Sequence, residues 1–387
     1  MLRAMPTAPN RHQFFATCAP GIEPVLHGEA KRLKLGKVER QVGGVYFEGR
    51  IEDAWRANLY LRTAVRVLMR VARFRAESEE ELYRHAKEVD WSRFLRPDGV
   101  LIVDAQSRES ALDHTRFVEQ RVKDAICDRF RESTGVRPSV GRDEADLGVH
   151  VHLFRDRCTL SVDTSGRALH RRGWRREQGA APLAETLAAA VLELSGWDRR
   201  SPLVDPFCGS GTLLVEAGLM ARGVAAGAFR ESFGFEGWPG HDAKAWKKLK
   251  EAARKEELSR KGPILLGYDR EPEALEAARK NAAGAGLEDR LQLERASAED
   301  FAPRPGWNAW IVSNLPYGKR VGRGDDLAST YRRFGRVLRE RCAGFHVALL
   351  CAKDKVRHEL ELGDVEEHPL TNGGLECVVI RTRIPEA

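Results

Sequence analysis

Three short segments of this chain combine residue types and spacings suited to chemistry on a ligand. The run 201–207, SPLVDPF, reads as a strand that passes directly into Cys208-Gly209-Ser210-Gly211-Thr212 and then an apolar helix. Small residues there let the backbone approach a ligand closely, at the strand ends where open α/β sheets bind ligands. Asp205, Pro206, Phe207, Gly209, Gly211 and Thr212 are the candidate contacts. Leu214 occupies the last glycine position of G-x-G-x-x-G, and no G-K-[ST] follows. Those absences argue against a nicotinamide oxidoreductase and an NTPase. A glycine pair that merely makes a tight turn is the bland alternative.

The second segment, ILLGYDREPEALEAARKNA, ends a strand on Asp269, one βαβ unit after the glycine loop. A carboxylate there can bridge a ribose diol with two hydrogen bonds. An aspartate near a helix start is also common for capping alone. The third segment, WIVSNLPYGKR at 310–320, sets Asn314, Pro316 and Tyr317 at the exit of a predicted fourth strand. An exocyclic base amine is a poor nucleophile because its lone pair is delocalised into the ring. Two acceptors on its hydrogens, the Asn314 side-chain oxygen and a nearby backbone carbonyl, would favour the developing N–CH3 bond. Pro316 stiffens the turn, and Tyr317 offers a flat face for an unstacked base. Positioning the amine in line with a sulfonium methyl needs no covalent intermediate.

The elements that must position these residues alternate. Strand-like PLVDPF, PILLGYD, LQLERAS, WIVSNLP and FHVALLCA are separated by helical stretches, an order that implies a parallel, doubly wound sheet. The front half reads differently. FFATCA, VYFEG, VRVLMRVARF and VLIVDAQS are strand-like, and Ser78 with Glu81 forms a capping-box pattern. The stretch from His114 to Arg131 is an amphipathic helix with Val118, Val122, Ala125, Ile126 and Phe130 on one face. Two alternating strands follow around a turn at Arg155–Arg157. The order divides the chain into a mixed α+β half up to residue 165, a basic linker at 166–182 and an α/β half at 183–387.

Whole-chain properties set the class. The chain has 387 residues, 42% apolar and 31% charged, with formal charge +7 and pI near 9.1. That is globular composition with a bias toward a polyanionic partner. No run of about 20 apolar residues spans a membrane, and MLRAMPTAPNRHQ lacks a secretory stretch. Seven cysteines without a C-x-x-C pair disfavour zinc and disulfides and fit the cytoplasm. The histidines show no metal spacing, so no metal is expected. Cys208 belongs to the ligand loop, where a nucleophilic thiolate is not expected.

Taken in order, DPFCGSGT, GYDREPEALEAARKNA and NLPYG resemble class I amino-methyltransferases whose fourth motif is Asn-Pro-Pro-Tyr or a variant. SALDHTRFVEQRVKDAI, VDTSGRALHRRGWR, APLAETLAAAVL and NGGLEC at 372–377 narrow the resemblance to guanine-N2 RNA methyltransferases with an N-terminal THUMP domain. It covers nearly the whole chain and implies a ferredoxin-like segment at 10–66 and a THUMP RNA-binding domain at 67–165 ahead of a Rossmann-like catalytic domain at 183–387. It implies S-adenosyl-L-methionine as cofactor and N2-methylguanosine in 23S ribosomal RNA as product, with transfer-RNA enzymes as near relatives. Carried over, Asp205, Phe207, Gly209 and Gly211 would line the methionine side and Asp269 would hold the ribose. Asn314, Pro316 and Tyr317 would hold the base. Leu315 departs from the second proline and favours guanine. Ser297 stands where relatives often carry an aspartate facing the adenine, leaving that contact to Ser297, Ala298 or Glu299.

Among basic residues, Arg171 and Arg172 around Trp174 are RNA candidates because the tryptophan can stack, or else they pack as an inter-domain joint. Lys319 and Arg320 follow the base-binding turn and would face the strand that delivers the base. Lys247, Lys248 and Lys250 read first as a solvated helix face. The expected protein is a monomer acting on structured RNA. The competing readings are a DNA adenine-N6 methyltransferase and a non-catalytic RNA-binding assembly factor.

Overall fold

The computed structural model describes residues 11–141, 145–178, 183–257, 262–303, 307, 309–317 and 326–386. Contacts divide the chain into two compact units. Of the described residues, the first holds those within 27–169 with 11–17 and 231–251; the second holds those within 170–230 and 252–386 with 18–26.

In order, the first elements are β1 (His12–Thr17), α1 (Glu23–Arg32), β2 (Gly36–Gln41), β3 (Gly44–Gly49), α2 (Ile51–Tyr60), β4 (Arg66–Arg75) and α3 (Glu79–Glu88). β5 (Val100–Arg108), α4 (Thr115–Thr134), β6 (Ser139–Val140), β7 (Leu147–Phe154) and β8 (Arg157–Asp163) follow. Among the described residues these strands form one sheet in the order β2-β3-β1-β4-β8-β7-β5-β6. The Ser78 hydroxyl accepts from the Glu81 N–H and caps α3 as its sequence suggests. α4 buries Val118, Val122, Ala125, Ile126 and Phe130 and ends on left-handed Gly135. Residues 231–251, which follow the glycine-loop helix in the chain, fold with this unit. Phe235 and Trp246 close on Trp55 of α2 at ring distances of 5.7 and 6.1 Å. Trp246 is buried, while Lys247, Lys248 and Lys250 lie on an exposed helix face.

The second unit carries α5 (Glu185–Ser195), β9 (Leu203–Asp205), α6 (Thr212–Ala221), β10 (Leu265–Asp269), α8 (Pro272–Gly284), β11 (Leu291–Arg295), β12 (Trp310–Asn314) and α9 (Leu327–Arg341). β13 (His346–Ala352), β14 (Glu366–Asn372) and β15 (Leu375–Arg383) complete it; α7 (Ala243–Glu256) precedes β10 in the chain but belongs through residue 251 to the first unit. Among the described residues its sheet runs β11-β10-β9-β12-β13-β15-β14. β9 to β13 are parallel. β15 pairs antiparallel with β13, and β14 antiparallel with β15, so the sheet is not parallel throughout. Between β14 and β15, Gly373 and Gly374 both hold positive φ, 55° and 87°, the geometry of a two-residue hairpin turn. α5 and α6 are buried along almost their whole length, as helices covering a parallel sheet must be. The first unit is thus a mixed α+β structure, and the second has the strand order of a Rossmann-like domain.

Candidate functional site

The three chemical segments converge at the C-terminal ends of adjacent strands. β9 lies between β10 and β12, with Leu203 opposite Leu265 on one side and Trp310 on the other. The carboxylate of Asp205 ends β9 and is buried. Its Oδ1 accepts the Ser313 hydroxyl at 2.5 Å and the Phe207 N–H at 3.2 Å. Ser313 precedes Asn314, so this bond ties the exit of β12 to the start of the glycine loop. Burial pushes the Asp205 carboxyl up to about 7, and the Asp269 carboxylate adds to the rise against these two hydrogen bonds.

The glycine loop is held on its other side by β10. Cys208 N–H donates to the Tyr268 carbonyl at 2.9 Å, and Gly209 N–H donates to Asp269 Oδ2 at 2.9 Å. Asp269 Oδ1 accepts the Glu271 N–H at 3.0 Å. Each carboxylate oxygen keeps a second lone pair, which a ribose diol can use. Gly211 opens α6 with φ +79°, and a Cβ there would meet Ala278 Cβ at 3.0 Å. A side chain would therefore force the loop away from α8. Pro206 and Thr212 are buried and Phe207 is half-buried, its ring edge-on to Phe334 at 5.1 Å. Burial and the Asp205 and Asp269 carboxylates push the Cys208 thiol well above its ordinary range, which disfavours the thiolate a nucleophile requires.

Ser297 and Ala298 join the same strand ends through the Ala296 N–H, which donates to the Asp269 carbonyl at 3.2 Å. Ser297 is half-buried and Ala298 packs into the core beside Ile311 and Leu315. Glu299 pairs with Arg333 at 2.8 Å. Of the three candidates for an adenine contact, Glu299 is thus already engaged.

At the exit of β12 the Asn314 side-chain oxygen is buried and has no hydrogen-bond partner among the described residues. A buried acceptor left open costs stability unless a ligand satisfies it. The turn that follows is braced from two sides. The Tyr331 hydroxyl of α9 donates to the Pro316 carbonyl at 2.9 Å. The Asn372 amide at the end of β14 donates to the Tyr317 hydroxyl at 2.8 Å. Burial drives both phenols far above their ordinary range, so they stay protonated. Sequence reasoning did not single out Ser313, Tyr331 or Asn372. Asn372 did stand in the NGGLEC run, and Ser313 one residue before Asn314.

Two expected RNA contacts are corrected. Trp174 and Arg172 are 0% and 1% exposed. The Trp174 indole N–H and Arg172 Nε both donate to Glu216 Oε1, at 3.3 and 3.4 Å. Trp174 packs with Val215, Leu219 and Leu287. A ring enclosed in this way cannot stack on a base, and beside it Arg172 and Arg175 are paired with Glu216 and Glu185. Arg171 is exposed. Lys319 and Arg320 lie outside the described residues. Among the described residues no group of three or more His, Cys, Asp or Glu could hold a metal ion.

Comparison with known proteins agrees with this architecture. The family described as "RMKL-like, methyltransferase domain" matches residues 172–381, a THUMP domain matches 76–163 and an RlmL ferredoxin-like domain matches 13–68. A ribosomal RNA large subunit methyltransferase K/L from Methylococcus capsulatus is 43% identical over 95% of this chain and 51% of its own length. The chain spans about half the length of the curated relatives it matches. SMU.472, described as a methyltransferase and solved in complex with SAH, is 28% identical with a TM-score of 0.86, over 98% of this chain and 99% of its own. A structure described as a predicted N6-adenine-specific DNA methylase from Listeria monocytogenes is 30% identical with a TM-score of 0.84, over 97% of each chain.

Proposed function

We propose, from the premise that this chain belongs to the family of RMKL-like methyltransferase domains, that it methylates the N2 amine of a guanine in folded RNA using S-adenosyl-L-methionine. Large-subunit ribosomal RNA is the substrate its curated relatives are named for, and it is the one we assign here. The single observation that carries the reading is the buried Asn314 oxygen, without a partner among the described residues and set beside the strand end that holds Asp205.

The residues fit the cofactor. When bound, it supplies a methyl group on a sulfonium. Asp205 would hold the cationic methionine end, Asp269 the ribose, and Ser297 with Ala298 the adenine. The Asn314 oxygen would accept a hydrogen from the base amine and so orient that amine for methylation. Tyr317 supports the base by its ring face. No residue needs to form a covalent bond, because positioning and hydrogen bonding carry the step.

The front half, with its ferredoxin-like and THUMP segments at 10–66 and 67–165, grips the RNA and selects the nucleotide that reaches residues 183–387. Arg171, Lys319 and Arg320 are the proposed phosphate contacts. The chain works as a monomer in the cytoplasm; among the described residues no helix is long and apolar enough to cross a membrane.

The test is incubation with labelled cofactor and ribosomal RNA, transfer RNA or plasmid DNA, followed by nucleoside analysis. N2-methylguanosine in ribosomal RNA is expected, and Asn314→Ala should lower kcat by about 10²–10³-fold while cofactor affinity holds. Methylguanosine in transfer RNA alone would move the substrate to the neighbouring family branch. The likeness to a structure described as an adenine-N6 DNA methylase favours a second reading, and N6-methyladenine in the plasmid would establish it. Wild-type turnover by Asn314→Ala would remove the assigned role.

A further inference from the structure

Residues 172–177 form neither helix nor strand, yet they strap together the elements that frame the glycine loop. Arg175 lies at the centre. Its Nε donates to Glu185 Oε1 at 2.8 Å, and its Nη2 donates to the Leu183 carbonyl at 3.0 Å. The same Nη2 donates to Thr212 Oγ1 at 2.9 Å, and Nη1 to Ser210 Oγ at 3.4 Å. Both hydroxyls belong to the segment that turns the chain from β9 into α6, and both residues are buried.

Asn281 of α8 completes the strap. Its Oδ1 accepts the N–H groups of Arg176 and Glu177 at 2.7 and 2.9 Å. Its Nδ2 donates to the carbonyls of Glu177 and Ser210, both at 3.0 Å. Ser210 is therefore held by its hydroxyl from Arg175 and by its carbonyl from Asn281.

We propose that Arg175 is a positioning residue for cofactor binding. The inference rests on the reading that the cofactor lies against the glycine loop. Arg175 fixes the Ser210 and Thr212 oxygens as acceptors, so the loop holds one arrangement before any ligand arrives. A planar guanidinium can meet four acceptors in a fixed fork, which an ammonium cannot. Preorganisation of this kind appears as affinity, because less ordering remains to be done on binding. Glu185, buried beside the guanidinium, supplies the balancing charge, and Arg175 lies over the Trp174 ring at 5.2 Å. Arg175, in a run that reads in sequence as either an RNA face or a packing joint, is thus assigned to the cofactor.

The experiment compares full-length wild type, Arg175→Lys and Arg175→Gln by calorimetric titration with S-adenosylhomocysteine. RNA affinity and melting temperature are measured on the same preparations. Arg175→Lys keeps a cation near Glu185 and is expected to melt close to wild type. It should bind S-adenosylhomocysteine roughly tenfold more weakly, the scale of one or two lost charge-assisted hydrogen bonds. Its RNA affinity should stay within about twofold, and KM for the cofactor should rise more than kcat falls. Arg175→Gln should weaken the titration further.

Folded Arg175→Lys with wild-type affinity for S-adenosylhomocysteine overturns the inference. So does a loss confined to RNA binding, or a fall in melting temperature that accounts for every other change. A wild-type protein that binds no S-adenosylhomocysteine would sink the methyl-transfer reading as well, whereas an unaffected Arg175→Lys beside a binding wild type sinks this inference alone.

Discussion

The Ser313 hydroxyl donates to Asp205 Oδ1 at 2.5 Å, across 108 residues of chain. This bond joins two strand ends that sequence reading treated as separate motifs, one for a cofactor and one for a base. It also occupies one oxygen of a carboxyl that burial raises to about 7. The state of Asp205 therefore bears on both motifs.

A pH dependence follows. An aspartate raised in the folded state favours its protonated form, so its contribution to the stability of the ligand-free protein is greatest below the unfolded value near 3.8. That contribution is lost as pH rises through about 7. A cationic ligand needs the opposite form. Cofactor affinity should therefore increase with pH below 7, by up to about tenfold per unit for one linked proton, and level off above it. Titrations between pH 5.5 and 8.5 check this, and a flat profile would disconnect Asp205 from the cation. Asp205→Asn should bind weakly at every pH.

Trp174 makes a stability prediction. Replacing a fully enclosed tryptophan with alanine should cost about 3–5 kcal/mol, measured by chemical denaturation. Trp174→Phe should cost less, having lost chiefly the indole bond to Glu216. Neither change should weaken RNA binding in protein that remains folded. A selective loss of RNA affinity would return the residue to the surface role that its basic neighbours suggest.

Sequence reading left Trp174 open between stacking on RNA and packing as a joint, and the structure packs it for a physical cause. Glu216 and Glu185 supply carboxylates to Arg172 and Arg175 from other elements. Long-range charge pairing leaves no local pattern. The parallel strands were legible for the opposite reason, since β12 and β13 are apolar runs buried on both faces. β2 and β14 went unread because their burial is weak and their residues polar, with Pro369 inside β14. The strand and glycine-loop motifs located Asp205, Asp269 and Asn314. What holds those residues from behind, Ser313, Tyr331 and Asn372, becomes visible only in three dimensions.

Tyr317 and Asn372 share one hydrogen bond at 2.8 Å. If it fixes the ring as a support for the base, Tyr317→Phe and Asn372→Ala remove the same interaction. Each should lower kcat/KM for RNA by about fivefold, near the ~1 kcal/mol of a typical hydrogen bond. The double variant should be little worse than either single one. Fully additive losses would mean that the two side chains act independently. Cofactor affinity should be unchanged in all three.

Tyr331 braces the same turn through the Pro316 carbonyl, without reaching the base in the proposed arrangement. Tyr331→Phe keeps the buried ring of α9 in the core beside Phe334 and Leu338 and deletes only the donor. Because the ring stays, the melting temperature should fall by only a few degrees, while the turn gains freedom that displaces Asn314 from its aligned position. Misalignment acts on the chemical step more than on binding, so kcat should drop by about three- to tenfold, with KM for RNA and cofactor affinity near wild type. Single-turnover rates at saturating RNA and cofactor isolate that step. An unchanged single-turnover rate would confine Tyr331 to packing, and a loss appearing only in KM would place its effect on RNA capture instead of on the geometry around Asn314.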